Sequence, residues 1–274
     1  MKKYHEIGIN RLSIGLQSSN DNLLKEIGRI HNYEQFVQTI NFARMAGFNN
    51  INADAMIGLP NQTIYDIEDT LEKLINLKLN HISVYSLIVE PNTKMEKLIE
   101  EGTYKLPDEE MERYMYWYTK RKLEENGYIH YEISNFAKAG YNSKHNMDCW
   151  NQKEYIGFGA GASSYESNVR YSNTDCIEEY IKNIENNEET KNVIVEEKQD
   201  ENSKMREYMI LGLRKIEGVN IKEFTQTFGK SPIHIFNKEL KKLVKEGLIS
   251  VSLNNIKLTK KGLDLANIVW EEFI

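Results

Sequence analysis

The chain is poor in cysteine and proline and has no long apolar run. Its two cysteines, Cys149 and Cys176, cannot build the disulfide framework of a small secreted domain, and their spacing matches no metal motif. A reducing, cytoplasmic setting is therefore expected. Four prolines in 274 residues argue against long disordered linkers. No run of about 18 apolar residues exists, so no transmembrane helix is expected. Met1 to Asn10 lacks the apolar stretch and small-residue cleavage site of a signal peptide, and none is expected. The net charge of −6 gives no general reason to look for nucleic acid. What is present is enough for a core: 40% of residues are hydrophobic, in a length that suits about two domains.

The first half alternates strand-like and helix-like segments. Arg11 to Gly15 reads as a strand, and Ser19 as the cap of a helix that stops near Gly28. Tyr33 to Met45 reads as a helix with Phe36, Ile40 and Ala43 on one face and Gly47 as its stop. Ile51 to Met56 is a second strand. Thr63 with Asp66 three residues on forms a capping box before the apolar stripe Ile67, Leu71, Leu74 and Leu77. His81 to Leu87 is a third strand. Single helices between strands imply βαβ units and a parallel sheet. Functional groups then belong at the carboxyl ends of the strands.

Asp108 to Asn126 reads as a helix, Tyr128 to Phe136 as one strand, and the Gly- and Asn-rich stretch Asn135 to Ser164 as a loop packed by Trp150, Tyr155 and Phe158. A polar, acidic stretch from Asn186 to Asn202 marks the expected boundary between domains 1–190 and 200–274. Three helices and a hairpin turned at Asn254-Asn255 then describe a winged helix. Residues 204–274 carry 13 Lys and Arg against 8 Asp and Glu, a net of +5, so the rest of the chain, −6 overall, carries −11. This asymmetry also separates two modules.

Several residues invite chemistry. Asp54, at a strand end, suits a ribose hydroxyl or an amine, because a carboxylate accepts hydrogen bonds in two directions; it equally suits a loop-bridging role. Arg29, just past Gly28, suits a carboxylate clamp, or is a surface arginine at a helix C-terminus. Gly58 to Thr63 has one glycine and a proline and no Gly-Lys-Ser/Thr, so it is a shaped turn rather than a phosphate loop. His145-Asn146 with Trp150 suits a heme iron or a stacked tetrapyrrole, or a loop histidine bonded to a carbonyl. His5, His31, His81, His130 and His234 show no ligand spacing. The tyrosines of 104–118 read as core. The Lys238, Lys241, Lys242 and Lys245 face reads as solvated, with phosphate contact the alternative.

Taken in order, these blocks resemble the radical S-adenosylmethionine (SAM) family of oxygen-independent coproporphyrinogen III oxidases and heme chaperones. Asn10 to Ser18 resembles its "NR(I/L)S(I/L)G(L/V)Q" strand, and Asp54 to Thr63 its "D(L)IxGLPxQT" block. Tyr131 to Ala137 resembles "YE(I/V)SNFA", His145 to Trp150 "HNxxYW", and Gly157 to Ser164 "G(F/I)GxGAxS". The Tyr131 to Ala137 block followed by the His145 to Trp150 block resembles the heme-chaperone branch rather than the dehydrogenase. The resemblance implies an α/β fold, the C-terminal part of a partial (β/α)6 barrel followed by a small winged-helix-like domain. It implies SAM held by Gln17, Arg29 and Asp54, with Asp54 on the ribose hydroxyls. It implies heme or another porphyrin held by His145, Asn146 and Trp150, and delivery to a heme-acceptor protein. Two departures stand out. Cys149 replaces the motif's tyrosine and becomes a candidate second soft ligand. The C-x-x-x-C-x-x-C that holds the family's [4Fe–4S] cluster is absent, because three thiolates are needed and this chain has two cysteines elsewhere. The expectation is an N-terminally truncated member with no metal ligands and no catalytic residue of its own. The full-length oxidase and a winged-helix DNA-binding regulator are the alternatives, and nucleic acid is not expected as a partner.

Overall fold

A computed structural model describes residues 1–274. The chain divides into two compact units, Met1–Asn142 and Ser143–Ile274.

In the first unit α1 (Lys2–Glu6) leads into β1 (Arg11–Gln17), α2 (Asp21–Glu26), α3 (Tyr33–Met45), β2 (Asn50–Ile57), α4 (Ile64–Asn76) and β3 (His81–Ser86). Then come α5 (Lys94–Glu100), α6 (Glu109–Glu125), β4 (Ile129–Glu132) and β5 (Asn135–Ala137). The sheet runs β1-β2-β3-β5-β4, with β1, β2 and β3 parallel and β5 and β4 antiparallel. One face is apolar: Leu16, Ile51, Ala53, Ala55, Ile57, Ile82 and Val84 are buried there with Phe36 and Ile40 of α3 and Ile67, Leu71 and Leu74 of α4. Strand side chains alternate sides, so Asn52 and Asp54 fall on the opposite, polar face.

The capping box at α4 is as expected: Thr63 accepts from the Asp66 amide, and the Asp66 carboxylate accepts from the Thr63 amide at 2.8 Å. The cap of α2 is corrected to Asn20, whose side chain accepts from the Asn22 amide at 3.0 Å. Ser19 is drawn instead to α4, where Thr70 Oγ1 accepts from its amide at 3.0 Å. The single strand expected over Tyr128 to Phe136 is corrected to a tight hairpin, β4 and β5. Its reason is Glu132, whose carboxylate turns back to accept from the Ser134 amide at 3.0 Å and from the Asn135 side chain. The tyrosines of the 104–118 stretch are only partly core: on α6, Met115 is buried while Tyr114 is exposed.

The second unit opens with α7 (Lys144–Trp150), a helix where a loop was expected, started by the side chain of Ser143. Then follow β6 (Ser163–Glu166), β7 (Val169–Asn173), α8 (Ile177–Glu185) and β8 (Val193–Lys198), with the three strands in one antiparallel sheet. β8 lies within the acidic stretch where composition changes. Next come α9 (Glu201–Gly212), β9 (Val219–Asn220), α10 (Ile221–Phe228), α11 (Pro232–Ile235) and α12 (Asn237–Lys245). The wing β10 (Ile249–Val251) and β11 (Asn255–Leu258) precedes α13 (Lys260–Asp264) and α14 (Ala266–Glu271). β9 adds a third strand to the wing by pairing with β11. The core here is aromatic: Tyr208, Phe224, Phe228, Phe236 and Phe273 meet largely edge to face. No helix is long and apolar enough to cross a membrane.

Candidate functional site

The polar face of the first sheet carries a connected set of side chains. Parallel register sets Ser13 beside Asn52, Gly15 beside Asp54, and Asp54 beside Ser83. Asp54 accepts from Asn52 Nδ2 at 2.7 Å and from Ser13 Oγ at 3.1 Å. Asn52 Nδ2 also reaches Ser13 Oγ at 2.7 Å, so its Oδ1 is left to accept. It does so from His81 Nδ1 at 2.6 Å and from Ser83 Oγ at 3.2 Å. That assigns the His81 proton to Nδ1, and Nε2 accepts from the Tyr131 hydroxyl at 2.8 Å. Burial, helped by the nearby Arg11 charge, pushes the His81 pKa from 6.5 down to about 3. Asp54 thus arrives as a carboxylate oriented by two donors, with lone pairs left for a ligand's hydroxyls.

Gln17 ends β1, where the pairing with β2 slips by one residue, and takes a left-handed backbone at φ +71°. Its side chain folds back over Gly15, where an added Cβ would lie 2.6 Å from Gln17 Nε2. A side chain at Gly15 would displace the Gln17 amide from this position. Arg29 is exposed past α2 and lines a cleft of about 330 Å³ with Gly28, Met56, Leu59, Leu87 and Glu90. Gln17 and Asp54 are not on its wall. Of the three residues expected at SAM, Asp54 and Gln17 therefore belong to β2 and β1, and Arg29 to a cleft at the ends of β2 and β3.

His81, set aside on spacing, is the buried centre of the polar network, and Asn52, Ser13, Ser83 and Tyr131 were missed with it. The available signal was alternation: polar residues occupy every second place in Asn50-Asn52-Asp54 and His81-Ser83-Tyr85, where a fully buried parallel strand would be apolar.

The second set lies on α7. His145 is exposed and Cys149 half-buried, one helical turn apart, with Cys149 Sγ 3.9 Å from His145 Nε2. Burial, with the adjacent Asp148 charge, raises the Cys149 pKa. The guanidinium of Arg214 stacks on Trp150 at 4.4 Å and on Trp270 at 4.9 Å. Trp150 Nε1 is buried with no hydrogen-bond partner. Just past the helix, Asn151 Oδ1 accepts from the buried Lys215 ammonium at 2.7 Å, and Gln152 donates to Glu207 at 2.7 Å. Burial holds the Lys215 pKa below its ordinary value. Asn146 is half-buried on the same helix. His145, Asn146 and Trp150 are thus brought onto one anchored helix.

The cysteines do not supply a [4Fe–4S] site. Cys149 and Cys176 are both free, and no three His, Cys, Asp or Glu side chains are grouped to hold a metal. A cluster needs about four ligands, three of them protein thiolates when SAM takes the fourth iron.

Comparison with known proteins places the chain. Residues 1–74 match the Radical SAM superfamily, and residues 199–265 match the HemN C-terminal domain. The heme chaperone HemW of Bacillus subtilis (strain 168) is 41% identical over 278 residues, which span 100% of this chain and 72% of that protein. HemW of Lactococcus lactis subsp. lactis (strain IL1403) is 37% identical over 274 residues, 100% of this chain and 71% of that one. The structure of coproporphyrinogen III oxidase (HemN) from Escherichia coli, described as a radical SAM enzyme, matches 99% of this chain and 66% of its own at TM-score 0.80 and 21% identity, a likeness of fold. The chain belongs to the HemW family of radical SAM proteins.

Proposed function

We propose that this chain is the SAM-wall, heme-helix and winged-tail portion of a heme chaperone that works in the cytoplasm. The observation that carries the reading is the match over the whole chain to two proteins named heme chaperone HemW, together with an outward-facing His145 on an anchored helix. The donor set suits heme: an exposed imidazole is an ordinary iron ligand, and Trp150 Nε1 is a buried donor in want of an acceptor. Asn146 and Trp150 are assigned with His145 to the porphyrin. A heme-acceptor protein follows from the chaperone role.

The polar sheet face suits SAM in the same way. Asp54 accepts from ribose hydroxyls, and Arg29 pairs with the amino-acid carboxylate. Gln17, folded over Gly15, contributes a side-chain amide at the end of β1, apart from the cleft that holds Arg29. Bound to a reduced cluster, SAM supplies a radical; the residues of this chain provide no cluster ligands, and no such step is assigned to them. The functional division proposed is barrel and extension, 1–190, and winged-helix-like tail, 200–274.

Titration with dithionite-reduced heme tests the heme site. His145→Ala is expected to raise the Kd at least tenfold, about 1.4 kcal/mol. Equal affinity in parent and variant would remove heme from α7.

A further inference from the structure

His145 and Cys149 are both metal-ligating side chains on α7. They are one turn apart, so they project from the same face of the helix. Nε2 and Sγ stand 3.9 Å from each other. The end of the helix that carries them is held by the Asn151–Lys215 and Gln152–Glu207 contacts and by Arg214 stacked on Trp150. The pair therefore sits on a fixed support, with His145 exposed and Cys149 half-buried.

A porphyrin iron offers two axial positions on opposite faces of the macrocycle. Two donors 3.9 Å apart on one helical face cannot take both, so they compete for one. Their chemistry differs. A thiolate brings a negative charge and an imidazole brings none, and both are ordinary heme ligands. Ferric iron in a porphyrin carries a net positive charge that the thiolate cancels; ferrous iron does not.

We propose that Cys149 is a second heme ligand of this chain, alternating with His145 at a single axial position: thiolate to ferric iron, imidazole to ferrous iron. The exchange balances. One electron from a reductant such as dithionite converts Fe(III) to Fe(II), the Fe–S bond breaks, the Cys149 sulfur takes up one proton from water, and an Fe–N bond forms to His145 Nε2. The inference rests on the heme reading of α7 and adds a ligand to it. It gives a heme carrier a way to hold its cargo differently in the two oxidation states.

The test compares the full chain with Cys149→Ser and His145→Ala, each loaded with hemin and followed by absorption and electron paramagnetic resonance, then reduced with dithionite. Thermal unfolding of the heme-free proteins checks that each variant is folded. The ferric parent and ferric His145→Ala are expected to show thiolate ligation, which Cys149→Ser loses with about a tenfold rise in ferric Kd. The reduced parent and reduced Cys149→Ser are expected to share one imidazole spectrum, which His145→Ala lacks. If parent and Cys149→Ser give the same ferric spectrum while His145→Ala loses reduced heme, the thiolate ligand is overturned and the heme site stands. If all three proteins bind both forms alike, the heme site on α7 falls as well.

Discussion

His81 shows how much one residue's surroundings decide. Its ring is fully buried between Asn52 and Tyr131, and burial holds its pKa near 3 instead of 6.5. The folded protein refuses a proton that the unfolded chain accepts below about pH 6.5. The neutral ring's contribution to stability is therefore complete above pH 6.5 and is lost as the pH falls toward 3, at up to about 1.4 kcal/mol per pH unit. Unfolding measured between pH 7 and pH 4 should show this slope in the parent and a flatter one in His81→Gln. The variant is also expected to be less stable at pH 7, because Tyr131 and Asn52 lose an ideal partner. Parallel pH profiles for the two proteins would mean that His81 does not carry the acid sensitivity.

Among the elements, α13 depends on an approach that permits no side chain. An added Cβ on Gly262 would lie 1.9 Å from the carbonyl oxygen of Leu248, a backbone atom that cannot swing aside. Thr259 caps this helix, accepting from the Gly262 amide at 3.0 Å. Gly262→Ala is thus expected to push α13 off the wing and cost about 3 kcal/mol. The midpoint of urea unfolding should drop accordingly, and an unchanged midpoint would contradict the tight packing of helix on strand. The short hairpin β4–β5 makes a similar point by different means. It turns on one carboxylate, Glu132, and pairs β5 antiparallel to β3, which closes the parallel run of the sheet. α12 adds lysines beside an apolar groove formed by Ile233, Leu240, Val244 and Val251, a surface unlike one built to read base edges.

At the scale of the whole molecule, composition limits what the chain can assemble. Its two cysteines are one short of the three thiolates a SAM-binding cluster requires, and no His, Asp or Glu group compensates. Incubation of the chain with ferrous iron and sulfide under reducing conditions is expected to yield no stoichiometric [4Fe–4S] absorbance. Stoichiometric cluster formation, surviving gel filtration, would show a ligand set that these residues do not reveal.

The amino-acid sequence by itself determined the order of βα units, the capping box at Thr63 and Asp66, the winged tail with its turn at Asn254-Asn255, and the family, because these signals reside in short stretches of chain. Helix caps act over three residues and apolar stripes over a dozen. Only the tertiary structure decided the rest. It built the polar network in which His81 meets Asn52 and Tyr131, groups 29 and 50 positions away. It placed Arg29 in a cleft apart from Gln17 and Asp54. It turned an expected loop into the helix that sets His145 beside Cys149. Each of these depends on strand register or on packing between distant segments, and no local pattern of residues encodes which distant side chain will be the neighbour.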